Sequence, residues 1–333
     1  MYALDQLKAL LKEELAKQEY VETPYSLYAP IVYILADGGK LIRPMLALIA
    51  YNIYRDDIEK VLKPAIGIEI FHNYTLLHDD IMDDAELRRG KPTVHRKWNI
   101  NVAILSGDAA AITAYKYIGY CDDIYFRRAI DFFNQVAMDV CKGQQFDMEF
   151  ETRNDVTEAE YLHMISMKTA ALLAGGLRHG ALIAGAPEDD YTALYEFGLA
   201  LGMMFQLQDD YLDVYGDTEV FGKKIGGDIL ENKKTFLLIK ALELANPTEK
   251  KELEEWLSRK CDKDDKGGKG SESQDKIKAV TEIYTAIGIP ALVQAKIDLY
   301  VVEAKKACEK INVPPERKRY LYEMMDFIDK REK

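Results

Sequence analysis

"FHNYTLLHDDIMDDAELRRG" occupies residues 71–90. Apolar residues recur here at three- and four-residue spacing, which predicts a helix over 61–84. Its last turns carry Asp79, Asp80, Asp83 and Asp84, a crowding of carboxylates that must repel unless something positive is held among them. A second long apolar stretch ends the same way: "GMMFQLQDDYLDVYGD", residues 202–217, carries Asp209, Asp210 and Asp213. On a helix, positions i and i+4 share a face, so Asp79 lies above Asp83 and Asp209 above Asp213. Two such faces opposed across a bundle offer only hard oxygen ligands. That set suits Mg²⁺, which accepts one or two carboxylates and completes its shell with water and phosphate oxygens. A lone DDxxD reads more simply as a solvated helix end; two copies in apolar surroundings, each trailed by basic residues, favour cation binding.

Working outward, helical periodicity covers 5–18, 27–36, 43–54, 61–84, 101–120, 124–150, 157–186, 190–216, 229–245, 248–260, 272–286, 290–311 and 315–331. No sustained alternation typical of a sheet appears. The chain of 333 residues is therefore all-α, with roughly a dozen helices. Pro30, Pro44, Pro92, Pro187, Pro247, Pro290 and the pair Pro314–Pro315 fall where helices should start or stop. One segment, "CDKDDKGGKGSESQDK" at 261–276, is polar and glycine-rich and reads as a mobile surface loop inside a single domain, 1–333.

The net charge of −12 speaks against nucleic acid as a partner, so any anionic substrate must be captured locally. The four cysteines, Cys121, Cys141, Cys261 and Cys308, have no metal-type spacing and read as free thiols. The N-terminus is an amphipathic helix and not a targeting signal, and the apolar run at 169–186 is interrupted by Arg178 and His179. No transmembrane segment and a cytoplasmic location are expected.

Local cations do surround the acidic motifs. Arg88, Arg89 and Lys91 follow the first; Lys223, Lys224, Lys233 and Lys234 follow the second. Upstream, "GGKLIRP" places Lys40 and Arg43 three apart, neighbours on one face if the helix has begun there. Each alone is a solvated charge; grouped around glycine turns they form phosphate clamps. No GxxxxGK[ST] is present, so this is not a P-loop. His72 lies two turns before Asp79 on roughly the same face, which favours a diphosphate contact over simple packing.

Taken together, "GGKLIRP", "HDDIMDDAELRRGKPTVH", "SGDAA", "CKGQQFDM", "MISMKTAALL", "GMMFQLQDDYLDVYGD" and "FGKKIGGDILENKKT" resemble, in order, the trans-isoprenyl diphosphate synthase (polyprenyl synthetase) family. The likeness covers roughly 30–240. It implies one helical domain around a deep central cavity, and an Mg²⁺-dependent trans-prenyltransferase, typically a homodimer. Such enzymes join isopentenyl diphosphate head-to-tail to an allylic prenyl diphosphate and release pyrophosphate. By this resemblance Asp79, Asp83 and Asp209 ligate three Mg²⁺ ions. Arg88, Lys168, Lys223 and Lys233 complete the allylic diphosphate site, while Lys40, Arg43, His72 and Arg89 hold isopentenyl diphosphate. Thr169 and Gln206 turn oxygen dipoles toward the carbocation. Leu41 stands where many members carry arginine.

The resemblance also makes a bulky aromatic at Tyr74 the floor of a short-chain synthase. Tyr74 lies five residues, or about 7.5 Å, below Asp79. The helical wheel alone favours Thr75 directly beneath Asp79, with Phe71 one turn lower. Products of 15 to 20 carbons, farnesyl or geranylgeranyl diphosphate, are expected. A class I terpene cyclase is disfavoured by the intact second DDxxD and the isopentenyl diphosphate cations. A regulatory subunit is disfavoured because no key position is lost, and a di-iron bundle by the lack of paired ExxH motifs.

Overall fold

The computed structural model describes residues 1–36, 38–216, 225–259 and 270–329. The observed architecture is all-α. Its helices are α1 Leu4–Ala16, α2 Tyr25–Leu35, α3 Ile42–Tyr54, α4 Glu59–Met82, α5 Val94–Lys97, α6 Ile100–Ile118, α7 Asp123–Thr152, α8 Glu158–Ile165, α9 Ala171–Ile183, α10 Glu188–Tyr215, α11 Gly227–Leu230, α12 Phe236–Leu244, α13 Pro247–Ser258, α14 Ser271–Ile287, α15 Ile289–Lys310 and α16 Pro315–Asp329. A π-helical turn, Ser166–Ala170, joins α8 to α9. The one sheet among the described residues is a two-stranded ribbon, β1 Leu87–Arg88 against β2 Lys91–Pro92.

Several helix starts follow from side-chain capping. Thr157 and Glu160 form a reciprocal capping box at α8, and Asn246 with Glu249 does the same at α13, where Pro247 fills the first position. Three expectations need correction. Pro30 lies inside α2 instead of bounding it, at the loss of one backbone hydrogen bond. The predicted helix 229–245 is broken, because Asn232 adopts a left-handed conformation (φ 53°) between α11 and α12. In the expected loop 261–276, residues 261–269 lie outside the described residues. Residues 271–276 form the first turns of α14, with Ser273 and Lys276 buried.

The chain groups into two compact units, each built from separate segments: residues 1–137, 172–198 and 307–322, and residues 138–171, 199–306 and 323–333. In the first, α4 is buried nearly all round, as expected of a core helix. It packs on α6 at Gly67, where an added methyl would meet the Ala114 carbonyl at 2.9 Å. α9 lies directly on α3: a methyl at Gly180 would fall 2.1 Å from the Ala47 carbonyl oxygen. In the second, the π turn is held between two mid-helix glycines. A methyl on Gly143 of α7 would lie 2.3 Å from the Lys168 nitrogen, and one on Gly202 of α10 would lie 2.4 Å from Ala170 Cα.

Among the described residues no single helix is long and apolar enough to cross a membrane; one pair, α14 with α15, passes jointly but is bent by 68°. Cys121, Cys141 and Cys308 are free thiols, as expected, and Cys261 lies outside the described residues.

Candidate active site

In the first unit, the acidic motif closes α4. Asp83 is the C-cap, its N–H donating to the Asp79 carbonyl at 2.8 Å, so the one-turn relation between the two carboxylates is kept. Asp79 is half-buried and Asp83 exposed. The intervening Asp80 is 2% exposed and accepts from Arg88 Nε and Nη2 at 2.7 Å each. Asp84 turns the chain with φ 49° and accepts from Arg96 at 2.7 Å. The ribbon that follows has Arg89 and Gly90 as its two loop residues, both with positive φ (52° and 77°). That is the geometry of a type I′ hairpin, and it explains the glycine.

Arg89 is thereby brought to the loop before α3. A methyl on Gly39 would meet its guanidinium nitrogens at 3.0 and 3.1 Å, so Gly39 leaves space for the side chain. Helix α3 begins only at Ile42, and Leu41 has φ 52°. Lys40 therefore precedes the helix and does not share a helical face with Arg43, contrary to the conditional expectation. Arg43 donates Nη1 to His72 Nε2 at 3.2 Å, while its Nε is buried without a hydrogen-bond partner. Burial, then repulsion from Arg89, push the Arg43 guanidinium down to about 10, against the pull of Glu69; it stays charged near neutrality. Burial, then Arg43, Arg89 and Arg88, hold His72 well below the usual histidine range. The ring is thus neutral, accepts at Nε2 and keeps its proton on Nδ1.

Below the acidic motif, Tyr74 is half-buried and packs on Phe71 and His78, with ring centroids 5.3 and 4.8 Å apart. Phe71 is only 2% exposed and is backed by Phe133 at 5.0 Å. Thr75 donates to the His72 carbonyl at 2.7 Å, one turn back in its own helix.

In the second unit, Lys168 and Thr169 sit on the π turn, a departure from α geometry that often marks functional positions. Lys168 donates to Asp147 at 2.5 Å. Thr169 donates to Gln206 Oε1 at 2.8 Å, and Gln206 Nε2 donates to Asp210 Oδ1 at 2.8 Å. Asp210 Oδ2 is hydrogen-bonded by the Tyr161 hydroxyl. Burial, then repulsion from Asp228, push Asp210 up to about 8, against Tyr161, Lys233 and Gln206. Burial opposes the charge on Lys233, but Asp228, Asp147, Asp210 and Glu231 reverse this and hold it above the usual lysine value. Burial likewise would raise Asp147; Lys233 and Lys168 outweigh it and hold the carboxyl below its usual value.

Asp209 is half-buried. Asp213, grouped with it by helical spacing, instead accepts from the Asp228 N–H at 2.9 Å and caps α11. Lys223 lies outside the described residues.

The first unit holds Lys40, Arg43, His72, Asp79, Asp83, Arg88 and Arg89, and the second holds Lys168, Thr169, Gln206, Asp209 and Lys233. The sequence reading missed Glu69, Asn73, Asp147, Tyr161 and Asp228. Glu69 is 5% exposed, its carboxyl raised by burial against the pull of Arg43, Asn73 and Arg89, and it accepts from Asn73 at 3.0 Å. The mid-helix glycines Gly143 and Gly202 were the available signal for the π turn; Tyr161 carried none.

Among the described residues no three His, Cys, Asp or Glu are gathered as a ready-made metal cage. The donors offered by each unit, Asp79 with Asp83 in one and Asp209 in the other, are the one or two carboxylates that Mg²⁺ accepts when water and phosphate complete its shell.

The sequence profile of the polyprenyl synthetase family matches residues 24–269. The chain belongs to the polyprenyl synthetase family. The match reaches past 240, where the motif likeness ends. A short chain isoprenyl diphosphate synthase of Methanocaldococcus jannaschii is 42% identical over 256 residues, 77% of either chain. A geranylgeranyl diphosphate synthase of Methanosarcina mazei is 35% identical over 314 residues, 94% of this chain and 92% of that one. A crystal structure of a geranylgeranyl pyrophosphate synthase, 41% identical, superposes with a TM-score of 0.90 over 98% of this polyprenyl synthetase and 99% of that chain.

Proposed function

We propose that this protein is a short-chain, Mg²⁺-dependent trans-prenyltransferase. It condenses isopentenyl diphosphate head-to-tail with allylic diphosphates, forms all-trans prenyl diphosphates of 15 to 20 carbons, and releases pyrophosphate. The observation that carries this reading is the drawing together of Arg43, His72 and Arg89 beside the Gly39–Lys40 loop, in the same unit as the first carboxylate motif. Such a pocket binds a second diphosphate without metal, which a terpene cyclase does not need.

In this reading Asp79, Asp83 and Asp209 ligate Mg²⁺, three ions in all, and residues 1–333 work as one domain. Held there, Mg²⁺ would supply positive charge against the negative charge developing on the departing pyrophosphate. Arg88, Lys168, Lys223 and Lys233 hold the allylic diphosphate. Lys168 is oriented by Asp147, and Lys233 is kept charged against burial by Asp228, Asp147 and Asp210. Arg43, Arg89 and Lys40 grip isopentenyl diphosphate, and neutral His72 donates from Nδ1. Thr169 and Gln206 offer uncharged oxygen to the allylic cation, which stabilises it without trapping it as an ester. The released pyrophosphate takes the final proton. Tyr74, lying over the buried Phe71, forms the floor that stops elongation.

The protein acts in the cytoplasm as a homodimer. Its pairing surface is the exposed apolar face of α6 and the start of α7, with Ile104, Leu105, Ile112, Ile124 and Phe126 each at least 42% exposed. The test is incubation of purified protein with Mg²⁺, isopentenyl diphosphate and 5-, 10- or 15-carbon allylic starters, followed by sizing of the products. Prenyl diphosphates of 15 to 20 carbons are expected. Hydrocarbon released from farnesyl diphosphate alone would establish a cyclase instead.

A further inference from the structure

Tyr161 is none of the substrate-binding residues proposed above, yet it is 2% exposed and aims its hydroxyl at an equally buried carboxylate. From there the hydrogen bonds run in one direction. Gln206 Nε2 donates to Asp210 Oδ1, and Gln206 Oε1 receives the single proton of the Thr169 hydroxyl, each at 2.8 Å. The amide cannot be turned over, because its oxygen would then face the Asp210 oxygen.

The consequence falls on Thr169. With its only proton committed to Gln206, the hydroxyl presents lone pairs to its remaining surroundings. The Tyr161 hydroxyl holds Oδ2 and so fixes the carboxylate plane that directs Oδ1 at Gln206 Nε2. Without it the carboxylate is free to turn, Gln206 is no longer held in one orientation, and the threonine proton can turn outward with the wrong sign for a cation.

We propose that Tyr161 is a positioning residue which, through Asp210 and Gln206, fixes the Thr169 hydroxyl with its lone pairs toward the allylic cation. This rests on the prenyltransfer reading. The four side chains belong to one compact unit, and Thr169 and Tyr161 are carried at two ends of a short stretch, α8 and the π turn.

The experiment is a double-mutant cycle between Tyr161→Phe and Thr169→Val, with kcat and KM measured for isopentenyl diphosphate and a 10-carbon allylic diphosphate in saturating Mg²⁺. Y161F is expected to lower kcat about tenfold with both KM values within about twofold, since the lost interaction is with developing charge. In the T169V background, where no hydroxyl remains to orient, Y161F should change kcat less than about twofold; in a T169S background the loss of about tenfold should return. Unchanged kcat in Y161F, or a Y161F/T169V loss equal to the product of the single losses, overturns the proposal. If Y161F fails to fold by circular dichroism, Asp210→Ala, which removes the acceptor that orients Gln206, takes its place in the same cycle, with the same two outcomes. A wild-type protein that makes no prenyl diphosphate would identify the parent reading as the failure, and this inference falls with it; an active wild type isolates the test to Tyr161.

Discussion

Gly143 offers a test in which the sign of the effect is set by the structure. In an exposed helix interior, Gly→Ala stabilises by up to about 1 kcal/mol. At Gly143 the new methyl would lie 2.3 Å from the Lys168 nitrogen, 2.6 Å from its Cα and 2.8 Å from its Cβ, whereas ordinary contacts begin at 3.4 Å. The π turn must therefore retreat by about 1 Å, the gap between those two distances. It has no room to do so, because Gly202 already packs with Cβ-sized clearance missing behind Ala170.

Overpacking against backbone costs about 1–3 kcal/mol, so the melting temperature of Gly143→Ala should fall by roughly 1–4 °C. Lys168 and Thr169 ride on the displaced turn, and an error of about 1 Å in a positioning group costs about 10²-fold in kcat. Steady-state prenyl transfer and thermal melting measure both effects. Gly175→Ala is the control, since its methyl meets only Val136 side-chain atoms, the nearest at 3.0 Å, and should cost far less. A Gly143→Ala enzyme that melts as high as the wild type or higher, with kcat within about twofold, would refute the reasoning.

Tyr74→Ala should lengthen the products beyond 20 carbons; an unchanged distribution in chromatography of the dephosphorylated products would transfer the floor to Phe71. Glu158 accepts from Lys240 and Lys296 at 2.5 and 2.6 Å, and these bonds outweigh burial to hold its carboxyl below the usual 4.5. Because the folded value is depressed, its contribution is full above 4.5 and vanishes as pH falls through the folded value. Glu158→Gln should thus cost about 1 kcal/mol at neutral pH, and thermal melts should show the gap to wild type closing in acid. Ile112→Glu, at a position 74% exposed on α6, should convert the proposed dimer to monomer in light scattering; an unchanged mass would move the pairing face elsewhere.

The helices were legible because each long one carries its own apolar period, and most boundaries fall within two residues of the observed ends. The exceptions have local causes that periodicity does not encode. Asn232 breaks 229–245 by taking a left-handed conformation, whereas the helix read over 272–286 starts at Ser271 as its period requires and only the overlapping loop reading gives way, with Ser273 and Lys276 buried and Lys276 donating to Asn232 at 2.8 Å. The first-rank site residues were legible through motif resemblance. Their supports were not: Asp147 and Tyr161 lie 21 and 49 residues from the groups they bond, Lys168 and Asp210, and such distances leave no trace in helical spacing.

The two DDxxD motifs show most clearly what spacing can and cannot say. Written as letters they are the same, and the i, i+4 rule pairs the first and third aspartates in both. The spacing is kept in both, and the surroundings differ: in the first motif α4 ends at Asp83 and leaves the carboxylate exposed. In the second, α10 continues to Tyr215, and Asp213 is met by the N–H of Asp228 at the start of α11. The middle aspartates diverge as well. Asp80 accepts from a guanidinium that is partly open to solvent, whereas Asp210 is enclosed and accepts from the neutral groups of Tyr161 and Gln206. In the proposed reading the first carboxylate orients the Arg88 guanidinium for a diphosphate, and the second orients the Gln206 amide. The repeat in the sequence therefore joins one proposed shared task, metal ligation by Asp79 and Asp209, to two different surroundings of the middle aspartate.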